Sequence, residues 1–256
     1  MSLISQAWPG SLEDGKRLLK EGKFKEAAEE FGREARAAER APEANLLLGL
    51  ALLKQNDIGK AEAALKEAVR LDLKSGEAHT LLGWLYLEGR RDPSQAIVEF
   101  QAAVRTSPNS PEAHNNLGTA YDRLRQFDRA IENYGRALAL RPDYPQALSN
   151  RGWSNVHRRD LTSARTDFRS ALAIDPNDSG AISGLAQLSK ESGDLREAAT
   201  QYRKLIAGSP NFIYLMDLLE VYVRQYGLVF VSVLVIGWIG HSLQKRRFRK
   251  KLRHDG

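Results

Sequence analysis

The chain has 256 residues, of which 42% are hydrophobic, and this length suits one or two ordinary domains. It contains no cysteine, which excludes a disulfide framework, a thiolate nucleophile and a zinc–thiolate site. The net charge of +6 is unevenly placed, because residues 1–212 hold 30 Lys and Arg against 29 Asp and Glu, whereas residues 213–256 hold 8 against 3. The first 212 residues therefore imply no basic face, and we expect no nucleic-acid partner for them.

The N-terminal residues 1–7 are predicted to be a short leader. They carry no basic region followed by an apolar run, so they do not have the pattern of a signal peptide. The organised part of the chain is expected to begin at residue 8.

One block, from Pro111 to Pro142, sets the pattern for most of the chain. Its apolar spacing predicts two short amphipathic helices with a tight turn near Arg125–Phe127 and a proline at the end. The small residue of the first helix, Gly118, recurs at spacings of 34 or 35 residues, as Gly15, Gly49, Gly83, Gly152 and Ala186. The second helix carries a recurring alanine, Ala130 here, and a large residue four positions later.

A period near 34 with small residues at two fixed places and a large residue at a third resembles the tetratricopeptide repeat, TPR. The resemblance implies an all-α solenoid of helical hairpins in which each repeat stacks on the next. Glycine or alanine at the helix crossing lets the two backbones approach, and the large residue fills the space beside them. About six repeats are predicted, over residues 8–41, 42–75, 76–110, 111–144, 145–178 and 179–212.

The first three repeats differ in character. Repeat 1 is the most charged and is expected to be a solvated end repeat. Repeat 2 has an apolar first helix, ANLLLGLALL, whose leucines serve either packing or an apolar floor for a partner helix. Repeat 3 has one extra residue in GRRDPSQ, which is expected to loosen the turn between its helices. Its Trp84 is expected to face the groove, as a binding anchor or as a packed spacer.

Repeats 4 and 5 carry asparagines at the same position, Asn116 and Asn150, two residues before the small residue. In the TPR superhelix of O-GlcNAc transferase, which these repeats resemble, asparagines at this position form a ladder in the groove. An amide offers both a donor and an acceptor to the backbone of an extended peptide. The resemblance therefore predicts a groove that binds a protein or peptide segment, formed by Trp84, Asn115, Asn116, Asp122, Arg123, Asn150, Trp153 and His157. Some TPR domains bind the acidic C-termini of heat-shock chaperones through a cluster of Lys, Arg and Asn side chains. The required cations are missing here, and we therefore do not expect chaperone binding.

The residues after the repeats form three predicted segments. Residues 213–225 are predicted to be a helix that caps the last repeat, with Glu220 and Arg224 spaced for an i,i+4 ion pair. This helix is expected to run without a break into residues 226–243, which carry no formal charge and are just long enough for a single transmembrane helix. A buried helix would need apolar cover that a thin solenoid does not offer. The basic tail, 244–256, is expected to bind anionic lipid headgroups through Lys245, Arg246, Arg247, Arg249, Lys250, Lys251 and Arg253.

Two membrane topologies compete. The excess of cations after the span favours a cytoplasmic tail, which would place the repeats on the other side. The late position of the span and the N-terminal sequence instead resemble a tail-anchored protein with cytosolic repeats, and this is the topology we favour.

No arrangement of residues in the sequence predicts catalysis. The five histidines are scattered, and His79 and His114 occupy equivalent repeat positions, which indicates packing. We expect no enzyme activity, no cofactor and no metal. The leading hypothesis is a membrane-anchored scaffold that binds a partner segment in its groove. The alternative is a structural subunit that uses broad faces within a larger membrane complex for secretion, import or envelope assembly, and self-assembly through the solenoid ends is a third.

Overall fold

The computed structural model describes residues 11–37 and 41–227, together with positions 232, 235, 236 and 238. The regular elements of this part of the chain are helices, as predicted. They are α1 (Ser11–Lys20), α2 (Phe24–Ala37), α3 (Pro42–Lys54), α4 (Ile58–Leu71), α5 (Gly76–Trp84), a π-helical turn (Leu85–Gly89), α6 (Pro93–Thr106), α7 (Pro111–Arg123), α8 (Phe127–Leu140), α9 (Pro145–His157), α10 (Leu161–Ile174), α11 (Ser179–Ser192) and α12 (Leu195–Gly208). Residues 212–227 form one more helix, the terminal helix. The predicted leader lies outside the described residues.

Six consecutive helical hairpins result, each with the same tight turn. The turn places one residue in the left-handed region, with φ of 58° at Arg125 in repeat 4, where the turn was predicted. In four repeats an aspartate then caps the second helix, as Asp57 does by accepting a hydrogen bond from the Lys60 amide. The left-handed residues are Gly22, Asn56, Arg91, Arg125, Arg159 and Gly193.

The helix crossing inside each hairpin explains why a small residue recurs on the first helix of each repeat. A Cβ atom added to Gly118 would lie 2.7 Å from the Tyr134 ring, and one added to Gly152 would lie 2.6 Å from Phe168. Tyr134 is only 1% exposed, and Ala130 beside it is fully buried. The predicted packing of two small residues against one large residue is therefore confirmed.

The extra residue of repeat 3 does not loosen the turn, contrary to the expectation from the sequence. It is absorbed within the first helix, where the π-helical turn Leu85–Gly89 takes up one residue. Accordingly, the Asp92 amide bonds to the Tyr86 carbonyl six residues back, whereas the equivalent Asp57 amide bonds to Leu52, five residues back. Arg91 keeps the left-handed conformation of the other turns.

The chain divides into two compact units, residues 1–147 and 148–256, and the division falls within α9. The main core of the first unit joins α3 to α8 and includes Leu65, Leu82, Phe100 and Tyr134. A core of the second unit joins α11, α12 and the terminal helix, where Val221 is fully buried.

The terminal helix forms the predicted ion pair, with 2.6 Å between Arg224 and Glu220. It does not run on unbroken, as the sequence suggested, because Gly227 has φ of 61°. The left-handed conformation ends an α-helix, and glycine adopts it without a steric penalty.

Among the described residues no helix combines the length and apolar character needed to cross a membrane. Most of the predicted span over 226–243 and all of the basic tail lie outside the described residues.

Candidate partner-binding site

In the first unit, the first helices of repeats 2 and 3 present partly exposed apolar side chains. Leu46 and Leu53 on α3 and Leu81 and Trp84 on α5 pack against the main core while keeping part of their surface accessible. The Trp84 ring meets Phe100 edge-on, with 5.6 Å between the ring centroids. We use the term groove face for this side of α3, α5 and α7. Trp84 is thus both packed and accessible, so packing and binding are compatible roles for it.

Helix α7 supplies the amide-bearing part of the groove face. Asn115 and Asn116 are 7% and 8% exposed, and every residue from 113 to 118 is buried. Within residues 11–37 and 41–227 nothing hydrogen-bonds to the side-chain amide of Asn116, which retains some contact with solvent. A side-chain amide that contacts solvent can exchange water for a ligand's donor and acceptor, so Asn116 is a candidate ligand-binding group.

The end of α7 is polar and tied to the helix crossing. The Tyr134 hydroxyl lies 3.4 Å from Thr119 Oγ1 and 3.5 Å from Asp122 Oδ2. Burial and the charge of Asp122 raise the pKa of Tyr134, so the hydroxyl stays protonated and acts as the donor. Arg123 is exposed and pairs at 2.7 Å with Glu88, which ends the first helix of repeat 3.

In the second unit, Trp153 repeats the geometry of Trp84. Its ring meets Phe168 edge-on at 5.5 Å, and its indole N–H donates to the Gly180 carbonyl at 3.2 Å. Asn150 is partly buried and His157 is exposed. This indole bond ties Trp153 to the next repeat.

The eight predicted groove residues therefore divide between the units. Trp84, Asn115, Asn116, Asp122 and Arg123 belong to the first unit, where the Arg123–Glu88 pair joins repeats 3 and 4. Asn150, Trp153 and His157 belong to the second unit.

Sequence reasoning missed Glu88 as the partner of Arg123 on the groove face. The opposite charges of Glu88 and Arg123 at equivalent positions of neighbouring repeats were the available signal.

A second network, also missed, lies between α9 and α10. Asp167 is 4% exposed and receives two hydrogen bonds from Arg151, at 2.6 and 3.0 Å, and a third from Asn155 at 3.1 Å. A buried carboxylate with this number of donors is held in one position. The network therefore joins the two helices of repeat 5.

The histidines that are described serve packing where the sequence predicted it. His79 is 8% exposed, with Nδ1 2.7 Å from Glu99, and His114 is 6% exposed, with Nε2 3.0 Å from the Pro108 carbonyl. Among the described residues no group of three His, Asp or Glu side chains could hold a metal ion.

A family model described as tetratricopeptide repeat matches residues 12–72, 46–111 and 115–179. The chain belongs to the tetratricopeptide repeat family. No match was found among curated proteins.

Several solved structures share this fold. MamA from Desulfovibrio magneticus RS-1 is 24% identical, with a TM-score of 0.60 over 66% of this chain and 94% of that one. YrrB, described as a TPR protein with an unusual peptide-binding site, is 20% identical, with a TM-score of 0.59 over 75% and 99%. PilW, described as a widely conserved type IV pilus biogenesis factor, is 19% identical, with a TM-score of 0.71 over 82% and 96%. At these identities the likeness establishes the fold alone.

Proposed function

We propose that this TPR protein is a membrane-anchored scaffold that binds an extended segment of a partner protein on its groove face. The observation that carries the proposal is the Asn116 amide, which is 8% exposed and has no hydrogen-bond partner in the described part of the chain. A peptide backbone offers one donor and one acceptor per residue, and a side-chain amide matches both.

The surroundings of Asn116 suit a peptide with mixed side chains. Trp84 and Leu81 supply partly exposed apolar surface on the neighbouring repeat 3, and Arg123 and Glu88 supply opposite charges at the edge. Aromatic and arginine side chains commonly carry most of the binding energy at protein interfaces. The peptide-binding site named for YrrB is consistent with this use of the fold.

The anchor is supported by the sequence after the repeats. Residues 226–243 contain no formal charge and, if helical, would extend about 27 Å, which approaches the thickness of the hydrocarbon core. Seven of the nine residues from 245 to 253 are Lys or Arg. Anchoring would raise the local concentration of the bound partner at one membrane, and no chemical step is required for this effect.

The groove is tested with a peptide library displayed on phage and panned against the full chain in detergent. Peptides selected on wild type are measured by fluorescence anisotropy against Asn116→Ala and against Asn109→Ala, which removes the same group from the exposed loop before α7. Losing two amide hydrogen bonds should weaken binding about tenfold. Equal affinities for the two variants would refute the assignment of Asn116.

The anchor and its topology are tested by protease protection on intact membranes, with a tag at each end of the chain. Digestion of the N-terminal tag with protection of the C-terminal tag supports a tail anchor with cytosolic repeats. The reverse result places the repeats in a periplasm or lumen. Recovery of the full chain in the soluble fraction would refute the anchor.

A structural subunit remains the second candidate, and two surface clefts of the first unit favour it. One cleft of about 330 Å³ lies between α6, α7 and α8 and is lined by Arg105, Tyr121, Arg129 and Arg136 among others. The other lies at the corresponding place between α2, α3 and α4. If such broad faces bind the partners, substitution of Arg105 and Arg136 should release them and Asn116→Ala should not, as measured by copurification from membranes.

A further inference from the structure

The terminal helix has two apolar sides, and within the described part of the chain the repeats pack against one of them. Tyr214, Leu218, Val221 and Tyr222 pack with α11 and α12. Along the other side runs a stripe of large side chains that we call the outer stripe. Its members and their exposed fractions are Phe212 (73%), Leu215 (52%), Met216 (46%), Leu219 (36%), Val223 (38%) and Tyr226 (54%).

The outer stripe is unlike the other exposed apolar residues of the described chain. Leu73, Val98 and Leu140 are single residues on different helices or loops, which is ordinary for a folded protein. The outer stripe instead repeats every three or four residues over about 21 Å of helix. A continuous apolar surface of this kind marks an interaction site.

The charges beside the outer stripe favour an anionic surface. The two carboxylates of the terminal helix are neutralised, since Lys190 lies 2.7 Å from Asp217 and 3.1 Å from Glu220. Glu220 also pairs with Arg224. Arg203 on α12 is exposed, and its guanidinium lies 5.5 Å from the Tyr222 ring of the terminal helix.

Gly227 lies at the boundary between the terminal helix and the apolar segment 226–243. A continuous helix would carry the outer stripe away from the membrane along the direction of the span. The left-handed conformation of Gly227 interrupts the terminal helix at the start of the apolar segment. Within that segment, the described residues Val235, Ile236 and Trp238 are 48%, 68% and 71% exposed.

We propose that the outer stripe is a lipid-binding surface and that the terminal helix lies in the headgroup region of the bilayer. Its inner side holds repeat 6 and its outer side enters the lipid, so the end of the repeat array is fixed against the membrane. Amphipathic helices with aromatic residues and flanking cations bind membrane interfaces in this way. The inference rests on the proposed membrane anchor and adds the orientation of the repeats.

The absence of cysteine allows a direct test on the full chain. Leu215→Cys and Leu219→Cys are each labelled with the fluorophore NBD and reconstituted in phosphatidylcholine vesicles with and without phosphatidylglycerol. Thr200→Cys, on the exposed side of α12, is the matched control, and Val229→Cys reports the apolar segment. A lipid-borne doxyl quencher should reduce the emission of the Leu215 and Leu219 labels about twofold more than that of the Thr200 label.

The outcomes separate the inference from the anchor. Quenching at position 229 without quenching at 215 and 219 would overturn the inference and leave the anchor intact. No quenching at any position would refute both. A blue-shifted but unquenched label at 215, with disulfide formation between unlabelled Leu215→Cys chains, would show that a second copy of the chain covers the stripe.

Discussion

The helix crossing of repeat 4 and the terminal helix both carry large apolar and aromatic residues, but these residues are buried at the crossing and exposed on the terminal helix. At the crossing, Tyr134 is 1% exposed and leaves no room for a Cβ atom on Gly118. On the terminal helix, Tyr226 is 54% exposed although its ring stacks on Tyr222, and the other members of the outer stripe keep between 36% and 73% of their surface accessible. Apolar surface that is fully covered stabilises the fold, whereas apolar surface left open beside a finished core is available for binding.

The largest expected effect comes from replacing a tyrosine by alanine at the crossing and, for comparison, on the terminal helix. Tyr134→Ala should lower the free energy of unfolding by about 3–5 kcal/mol, because it leaves a cavity at a rigid crossing. Tyr226→Ala should change it by less than about 0.5 kcal/mol. Urea unfolding of both variants in detergent measures the difference, and equal losses would contradict the contrast.

A smaller effect is expected from adding one methyl group to a glycine. Gly118→Ala should cost about 1–3 kcal/mol, because the new Cβ would overlap the buried Tyr134 ring. Gly135→Ala on α8 is the matched control, since no atom lies within 4 Å of its Cβ position. It should stabilise the protein by about 0.4–1 kcal/mol, because alanine lowers the conformational entropy of the unfolded chain. Shifts of the same sign in thermal melting would refute the crossing assignment.

The docking of the terminal helix should depend on Lys190 and on pH. Burial disfavours the charge of Lys190, but hydrogen bonds to Asp217 and Glu220 outweigh this and raise its pKa. The same contact lowers the pKa of Glu220. The stabilisation is therefore present between the ordinary pKa values of 4.5 for Glu and 10.5 for Lys. It fades as the pH falls through the folded pKa of Glu220, and it fades as the pH rises through that of Lys190.

Lys190→Ala should cost about 1 kcal/mol at neutral pH, because these groups remain partly exposed. The difference from wild type should shrink in melting experiments below the ordinary Glu pKa of 4.5. A difference that is constant with pH would show that Lys190 acts through packing alone.

The smallest expected effect is on the outer stripe itself. Leu215→Ser should leave the unfolding free energy within about 0.5 kcal/mol of wild type, because the side chain is already 52% exposed. A clear loss of stability would show that the protein itself covers this side. Circular dichroism melting of the full chain in detergent provides the measurement.

The sequence alone determined the parts of this protein that depend on local pattern. The period of about 34, the small residues at Gly118 and Ala130, the turn near Arg125 and the Glu220–Arg224 pair were all predictable, because each follows from helix periodicity and residue size. The predicted groove residues could be placed on their helices for the same reason.

Where the sequence allowed two local conformations equally well, only the tertiary structure determined which one the chain adopts. The extra residue of repeat 3 could enter the turn or the helix, and packing of Leu85 and Tyr86 in the core accompanies the π-helical solution. Gly227 could continue the helix or end it, and the sequence pattern is apolar on both sides of it. Which groups stay accessible among the described residues, such as the Asn116 amide and the outer stripe, depends on how the neighbouring helices pack, because burial and hydrogen bonding are properties of the packed chain and not of the local sequence.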